Sequence, residues 1–397
     1  MMLAALLLTA CSDDSDGTSS SQDGDCYIEV YVYQPDRPML IRAVSEPVID
    51  PTEGESTIHE LKIWVFRHSD GQKVGYLEVG ESTEKPLFDI LNENGQQLFK
   101  IKVDAAFADN PENVDVYVVA NGGNDASTLG ETTARAALKA AVLGSSSFGV
   151  NDNYTHDAVV KEVPETGLPM SAQLEDQSIY GSFPTLRIGN ATTISTLRLT
   201  RAVSKLRFVI CRKTEEDNAK QMLESITSVK LNGSMIPTQT FLLPVSTSSY
   251  ASVLYDGTEM DYRGIEKDDI PEVDDPMDYA YTTQTPEEYE ELVKEAVTSE
   301  KLYQFGLTYL RESPKQLTGT ITYTVKERND TGTPWDNVVE TANFSMAAPG
   351  EFMRNHSWII YIYYMDAKIH TLTVTHLGMR DWVDYGGGSL DHNVYNW

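Results

Sequence analysis

Cysteine and histidine are the residues of this chain whose spacing could support metal or redox chemistry. The three cysteines are Cys11, Cys26 and Cys211, and no pair of them forms a C-x-x-C motif. The seven histidines form no H-E-x-x-H pattern, so the sequence predicts no metal site and no cofactor. Cys26 and Cys211 could pair in an oxidising compartment or stay buried thiols, because their spacing alone does not discriminate.

Motifs for catalysis are missing as well. The sequence has no G-x-S-x-G elbow, no P-loop and no dinucleotide fingerprint. Its 60 acidic and 31 basic residues give a formal net charge of −29, and such a chain repels the phosphates of nucleic acid. We therefore predict a protein that is not an enzyme and that binds no nucleic acid.

One motif at the N-terminus implies covalent chemistry. Met1 to Ala10 is an apolar run too short to span a bilayer, and it is followed by Cys11. The ending Leu-Thr-Ala-Cys resembles a bacterial lipobox, in which the cysteine is lipidated and becomes the mature N-terminus. We expect residues 1–11 to be a lipoprotein signal peptide with Cys11 as the lipidation site. Polar residues 12–26 are then a solvated tether.

The remaining chain is dominated by the alternation of apolar and polar side chains that is typical of β-strands. Helices are predicted at only two places. Thr133–Leu143 is rich in alanine and ends before a glycine, and Thr285-Pro286-Glu287-Glu288 has the pattern of a capping box. The strongest strand predictions are residues 61–66, 114–120, 320–325, 358–364 and 369–376.

The length of 397 residues suits two domains rather than one. Between Leu199 and Leu206 the apolar positions change parity, which predicts a bulge or bend near Arg201–Ser204. Just before this, near Gly189–Thr193, the sequence turns polar. We therefore predict an N-terminal β-sandwich at residues 27–192, a second β-sandwich at 193–382 and a tail at 383–397.

Several short segments, spread over roughly residues 55–382, follow one another in a familiar order. The segments are Glu55–Phe66, Val116–Asn121, Leu168–Ser171, Leu199–Leu206 and Arg354–Trp358, with Arg380-Asp381-Trp382 after the last strand. Together with the lipobox they resemble the fimbrillin superfamily of Bacteroidales, which comprises the major and minor fimbrillins, or type V pilins.

The resemblance implies two tandem transthyretin-like Greek-key β-sandwich domains with short helical insertions. It also implies a structural subunit, in the stalk or at the tip, of a cell-surface fimbria that assembles by strand exchange. In this family a trypsin-like surface protease cuts after an arginine near the N-terminus and removes the first strand. A neighbouring subunit then supplies a replacement. The expected partners are other fimbrial subunits, the protease and, before processing, the outer membrane through the lipid on Cys11.

The cleavage site that the resemblance implies falls at Arg42-Ala43. Between Tyr27 and Glu60 the only other lysine or arginine is Arg37, which precedes a proline that blocks trypsin-like cutting. Upstream lies a strand that could be removed, Tyr27–Tyr33. The apolar residues Ile28, Val30 and Val32 share one parity of this strand.

The C-terminal tail is the natural candidate for a donor strand. It follows three consecutive glycines, and its candidate donor residues are Leu390, His392, Val394, Tyr395 and Trp397. The same pattern is compatible with a disordered end or with a last strand of its own domain.

Two other functions remain open at this point. One is a membrane-retained fimbrial anchor, which would keep both its lipid and its first strand. The other is a surface lipoprotein that binds a glycan or a host ligand through exposed aromatic rings. Tyr361 and Tyr363 share one face of a predicted strand and could stack on a sugar, although core packing is the more common use of such a pair.

Overall fold

The architecture of the protein is described from a computed structural model. Strands dominate and helices are few, which confirms the predicted all-β fold with short helical insertions. The structure describes residues 25–34, 55–80, 96–123, 126–143, 166–215, 219–237, 239–245, 249, 260–262, 264–328, 335–346, 354–376 and 394–396.

The elements of the first half are mostly strands of eight residues or fewer. Its helices are α1 (Ala105–Asp109) and α2 (Arg135–Lys139). Its strands are β1 (Cys26–Tyr33), β2 (Glu60–Arg67), β3 (Lys73–Gly80), β4 (Gln96–Val103), β5 (Val114–Ala120), β6 (Val142–Leu143), β7 (Met170–Gln177), β8 (Ile179–Ser182), β9 (Thr185–Ile188), β10 (Thr196–Arg198) and β11 (Thr200–Arg201).

The second half has longer strands and one longer helix, α3 (Pro286–Thr298). Short 3-10 turns lie at Gly233–Met235, Lys267–Asp269 and Pro276–Tyr279. The strands are β12 (Val203–Lys213), β13 (Gln221–Leu231), β14 (Thr240–Phe241), β15 (Met260–Tyr262), β16 (Ile265–Glu266), β17 (Glu272–Val273), β18 (Tyr303–Arg311), β19 (Leu317–Arg328), β20 (Trp335–Met346), β21 (Ser357–Met365), β22 (Lys368–His376) and β23 (Val394–Asn396).

The first sheet folds over on itself. Its strand order is β11-β7-β5-β2-β3-β4-β1-β9-β8, and β10 also pairs with β1. Strands β3 and β4 meet at a single register pair, Gly75 with Val103. One hydrophobic core contains side chains from both ends of this order, such as Val118 of β5 and Val30 of β1. The two ends therefore face each other as a sandwich.

The second half is built in three layers. Sheet β17-β12-β21-β22-β23, with β18 on β12, packs across a core against sheet β15-β13-β19-β20. The opposite face of the first of these sheets is covered by α3, which places Tyr289, Val293 and Ala296 against Val209 and Ile359. The helix thus seals a sheet face that would otherwise be exposed to water.

The predicted bend between the two halves is confirmed. Strand β11 ends at Arg201 in the first sheet, and β12 begins at Val203 in the second. Ala202 lies between them at the bend. Strands β10 and β11, which follow residue 193, still pair in the first sheet. The predicted domain division between residues 192 and 193 stays a proposal.

The helix predicted at Thr133–Leu143 is shorter than expected. Within this segment only α2, Arg135–Lys139, is helical. The prediction was wrong for the end of the segment. Val142 and Leu143 instead pair as β6 with β14, which lies about a hundred residues further along the chain. No helix among the described residues has the length and apolar character needed to cross a membrane.

Cys26 and Cys211 are both free and buried. They belong to different hydrophobic cores, the first in the sandwich of the N-terminal half and the second beneath α3. Of the two alternatives that the spacing left open, the structure has the buried thiols.

Removing the hydroxyl of Thr285 tests the predicted start of α3. The Thr285 hydroxyl accepts a hydrogen bond from the Glu288 N–H at 3.3 Å, and the Glu288 carboxylate accepts one from the Thr285 N–H at 2.7 Å. Thr285→Ala should cost about 1 kcal/mol of stability, measured by urea unfolding. Thr283→Ala, at an exposed position two residues earlier, is the control and should leave the transition unchanged.

Candidate functional site

Strand β1 lies inside the first sheet with both of its edges paired. All eight of its residues pair antiparallel with β4, from Cys26 with Val103 to Tyr33 with Gln96. On its other side it runs parallel to β9 in its first half and to β10 in its second half. We call the space between β4 and these two strands the β1 groove. Removing β1 would therefore expose unpaired backbone groups on both walls of the groove.

The inward face of β1 is part of the hydrophobic core. Ile28, Val30 and Val32 are each 0% exposed, which confirms the predicted parity of this strand. Burying one such side chain contributes about 1.5–3 kcal/mol, so the three together contribute about 5–9 kcal/mol. That is comparable to the whole stability of a typical domain, about 5–15 kcal/mol. The buried neighbours that line the groove are Phe99, Ile101, Leu186, Ile188 and Leu197.

The outward face of β1 is held by charged and aromatic contacts. Glu29 is buried and accepts a hydrogen bond from the Arg187 Nε at 2.9 Å, while the Lys100 Nζ lies 3.9 Å from its other carboxylate oxygen. At the start of the strand, the hydrogen bond from Lys102 lowers the pKa of the Asp25 carboxyl. At its end, the Arg198 guanidinium lies 5.7 Å from the centre of the Tyr33 ring.

A second site holds the chain just after the segment that contains Arg42. Arg201 is 1% exposed although it carries a full charge. Its Nε donates to the Glu55 backbone oxygen at 2.8 Å, and its other nitrogens donate to the Ser56 hydroxyl at 3.0 Å and to Asn355 Oδ1 at 3.2 Å. One side chain thus joins three segments that are far apart in sequence.

The Glu55 carboxylate completes this site, which we call the Glu55 clamp. It lies 2.9 Å from the Lys205 Nζ and accepts a hydrogen bond from the Tyr309 hydroxyl. Burial by itself raises the pKa of Glu55. The Lys205 ammonium, the Tyr309 hydroxyl and the Arg201 guanidinium outweigh burial and hold this pKa below its ordinary value.

Arg354 anchors a segment of the second half that packs on the first half. Its guanidinium lies 2.6 Å from the Glu312 carboxylate and donates to the Leu242 and Phe241 backbone oxygens at 3.0 and 2.6 Å. Leu242 also packs on the outer face of β2 and β5 in the N-terminal half, and its backbone oxygen accepts from the Ser171 hydroxyl at 2.7 Å. The segment around Leu242, which belongs to the second half, therefore lies against the first half.

Asn121 ties the start of β2 to the turn before β7. It has a left-handed backbone, with φ of 51°, and its side chain accepts from the His59 N–H at 2.8 Å. The same amide donates to the Thr57 and Leu168 backbone oxygens at 2.7 and 3.1 Å. Except for Tyr309, the residues of the Glu55 clamp lie in the five segments on which the fimbrillin resemblance was drawn, and so do Arg354, Ser171 and Asn121. In the fold those segments meet at the junction of the two halves.

Most of the predicted site residues lie outside the described residues. These are Cys11, Arg42, Ala43, Leu390, His392 and Trp397. Val394 and Tyr395 belong to β23, which pairs antiparallel with β22 at the edge of the second sheet. In this chain, the described part of the tail thus extends a sheet of its own half.

The aromatic pair considered for glycan binding is not an exposed platform. Tyr361 is 0% exposed, and its hydroxyl donates to the Pro276 backbone oxygen at 2.7 Å beneath the helical layer. Its ring stacks on that of Tyr363 at 5.2 Å. Of the two uses considered for this pair, the structure has core packing, because the layer that contains α3 covers this face of the sheet. Within the described ranges, no group of three or more His, Cys, Asp or Glu side chains is placed to hold a metal ion.

No protein-family model matches the chain, and no curated protein matches it. Among solved structures it is similar to the tip fimbrial protein Mfa3 from Porphyromonas gingivalis with a C-terminal truncation. The identity is 15% and the TM-score 0.45, over 94% of this chain and 100% of that one. A candidate cell adhesion protein from Parabacteroides distasonis matches at 12% identity and a TM-score of 0.48, over 88% and 97% of the two chains.

A third similar structure is a fimbrial assembly protein from Parabacteroides distasonis, with 12% identity and a TM-score of 0.41, over 88% of this chain and 95% of that one. These three solved structures are fimbrial or candidate adhesion proteins, as the resemblance drawn from the sequence led us to expect. At such identities and TM-scores, the function has to be inferred from the residues of this chain.

Shortening a buried side chain of β1 tests how far the core depends on this strand. Ile28→Ala should lower the stability of the first half by about 2–5 kcal/mol, because it leaves a cavity in the hydrophobic core of the first sandwich. Leu98→Ala changes an exposed residue of the neighbouring strand β4 and is the matched control. Equal urea midpoints for the two variants would show that β1 contributes little to the core.

The Glu55 clamp should make stability depend on acid pH. A carboxyl whose pKa is lowered by folding stabilises the fold above its unfolded pKa, and this contribution is lost as pH falls below about 4.5. Glu55→Gln should cost about 3–5 kcal/mol at pH 7, because the buried Lys205 ammonium loses its ion pair with Glu55. The difference from the unmodified chain should shrink as unfolding is repeated from pH 6 down to pH 3.

Glu224→Gln is the control for this experiment, since Glu224 pairs with Lys326 at 2.6 Å on a half-exposed surface. Its effect should stay below about 1 kcal/mol. A difference between Glu55→Gln and the unmodified chain that is constant with pH would mean that Glu55 is not ionised in the clamp.

Proposed function

We propose that this protein is a structural subunit, in the stalk or at the tip, of a cell-surface fimbria, and that it acts without catalysis and without a cofactor. It is exported to the outer membrane as a lipoprotein through Cys11. A trypsin-like surface protease then cuts at Arg42-Ala43, and subunits join by strand exchange. The observation that carries this proposal is that β1 is a buried, doubly paired strand that is linked to the rest of its sheet through the segment containing Arg42.

Cleavage at Arg42-Ala43 would turn β1 from a covalent part of the sheet into a bound peptide. Its loss would expose an apolar groove together with the backbone groups of β4, β9 and β10. Such a groove binds an extended strand through main-chain hydrogen bonds and through pockets for alternate side chains. When each subunit fills the groove of the next, two different surfaces meet head to tail, and an open filament results.

The strand that fills the groove is, in this proposal, the tail of a neighbouring subunit with its candidate residues Leu390, His392, Val394, Tyr395 and Trp397. In the part of the tail that the structure describes, the pairing with β22 covers the three residues Val394–Asn396, so little of this pairing has to be broken for the tail to leave. The two tandem domains, residues 27–192 and 193–382, would then separate the groove from the donor along the filament.

A membrane-retained anchor is the alternative that uses the same parts. Such a subunit keeps its lipid on Cys11 and its own β1. The lipobox is present in either case, so the fate of Arg42-Ala43 distinguishes the anchor from the stalk or tip subunit.

Replacing Arg42 tests the proposal in the native host. The unmodified chain should appear in high-mass fimbriae sheared from the cell surface and should begin at Ala43, read from its N-terminal sequence and intact mass. Arg42→Gln should stay unprocessed and should be absent from the sheared fraction. Arg37→Gln is the matched control, because Arg37 precedes Pro38, and it should assemble as the unmodified chain does.

Two results would count against this function. A chain that still begins at a lipidated Cys11 and stays with the membrane would identify an anchor. Assembly of Arg42→Gln at normal levels would show that joining does not depend on release of β1.

A further inference from the structure

The walls of the β1 groove are positively charged in a strongly acidic protein. The outward residues of β4 include Lys100 and Lys102, while β9 contributes Arg187 and β10 contributes Arg198. None of these three strands contains an aspartate or a glutamate. The whole chain has 60 acidic residues against 31 basic ones, so four cations around one strand are a local inversion of its charge.

The carboxylates that balance these cations come from β1 and the residue before it. Glu29 lies directly across from Lys100 on one side and from Arg187 on the other, and it contacts both at 3.9 and 2.9 Å. Asp25 forms an ion pair with Lys102. Opposite charges directly across two strands stabilise their pairing, and like charges oppose it.

Loss of β1 would remove both carboxylates at once. Lys100 and Arg187 would then face each other across the width of one missing strand, about 10 Å between the two walls. A strand with a neutral residue at the position of Glu29 would leave both cations without their partner. A strand with a lysine there would add a third positive charge beside a buried position.

We propose that Lys100 and Arg187 make the β1 groove selective for a strand with a carboxylate at the position of Glu29. We further propose that the occupant is Leu390–Tyr395 of a second copy, with Asp391 in that position. This inference rests on the proposed strand exchange and adds its register and its charge requirement.

The register follows from the chemistry at both ends of the strand. Placing Leu390 at the position of Ile28 puts Asp391 at Glu29, between Lys100 and Arg187. The same register puts Val394 at the position of Val32 and Tyr395 at that of Tyr33, beneath Arg198. An acid, an aromatic ring and two apolar residues thus recur at matching positions in β1 and the tail.

One position of this register fits poorly. His392 would occupy the place of Val30, which is 0% exposed in the core. Burying an imidazole without a hydrogen-bond partner is unfavourable, so this residue should weaken the bound strand. The tail would therefore bind less tightly than β1 itself, and replacing its histidine with valine should strengthen it.

Peptide exchange on the full chain tests the charge requirement. The chain is cut at Arg42-Ala43 by limited proteolysis, checked by intact mass, and β1 is left bound. Fluorescent peptides of residues 25–34 are then added, and their uptake is followed by anisotropy. We expect Glu29→Gln to bind about tenfold more weakly than the native peptide and Glu29→Lys about a hundredfold more weakly. In a chain that carries both Lys100→Glu and Arg187→Glu, the order of affinities should reverse: the Glu29→Lys peptide should bind more tightly than the native peptide.

A peptide of residues 388–397 tests the occupant in the same assay. Asp391→Asn should weaken its uptake about tenfold, and His392→Val should strengthen it by a similar factor. Asn396→Ala, outside the matched register, is the control and should change nothing.

The outcomes separate this inference from the function on which it rests. Equal uptake of the native, Glu29→Gln and Glu29→Lys peptides would overturn the charge requirement. It would leave the proposed strand exchange intact. Uptake of no β1 peptide by a cut chain that keeps its circular dichroism would overturn strand exchange itself. A tail peptide that is not taken up, or that is indifferent to Asp391, would overturn the assignment of a second copy as the occupant.

Discussion

The burial of three side chains of β1 is the constraint on which the rest of this structure depends. Ile28, Val30 and Val32 are completely covered, although their strand precedes the segment that contains the expected cleavage site. The core of the first half is therefore complete only while a strand occupies the groove. Any replacement must satisfy the same conditions of parity, backbone pairing and charge, because the walls of the groove are fixed by the other strands of the sheet.

In the proposed strand exchange, the Glu55 clamp would belong to the part of the molecule that stays in place. Its contacts begin at Glu55, downstream of Arg42, and they reach Arg201, Lys205 and Asn355 without involving β1. The junction between the halves would therefore survive the loss of the strand. Buried charged groups of this kind contribute little net stability, because desolvation offsets their attraction, but they admit few alternative arrangements. Such a network would hold the two ends of the proposed fimbrial subunit in a set relation to each other.

The sequence predicted the features that depend on neighbouring residues and missed those that depend on distant ones. The parity of β1 and the capping box of α3 are local patterns, and both were predicted correctly. The pairing of β6 with β14 overrode the helical preference of an alanine-rich segment, and nothing near Val142 indicates that partner. Arg201 was recognised as part of a motif, but its burial against Glu55 and Asn355 could not be foreseen, because periodicity does not report which segments meet.

Electrostatics act at two ranges on any association of these chains. A net charge of −29 makes two copies repel each other at long range, and salt screens this repulsion over about 8–10 Å. The Glu29 carboxylate is buried and its contact with Arg187 is 2.9 Å long, so salt weakens this contact less. Moderate salt should therefore relieve the general repulsion while the local attraction in the groove persists. The acidic surface and the basic groove then have distinct consequences: the first keeps free subunits apart, and the second favours the one contact in which a carboxylate enters the groove.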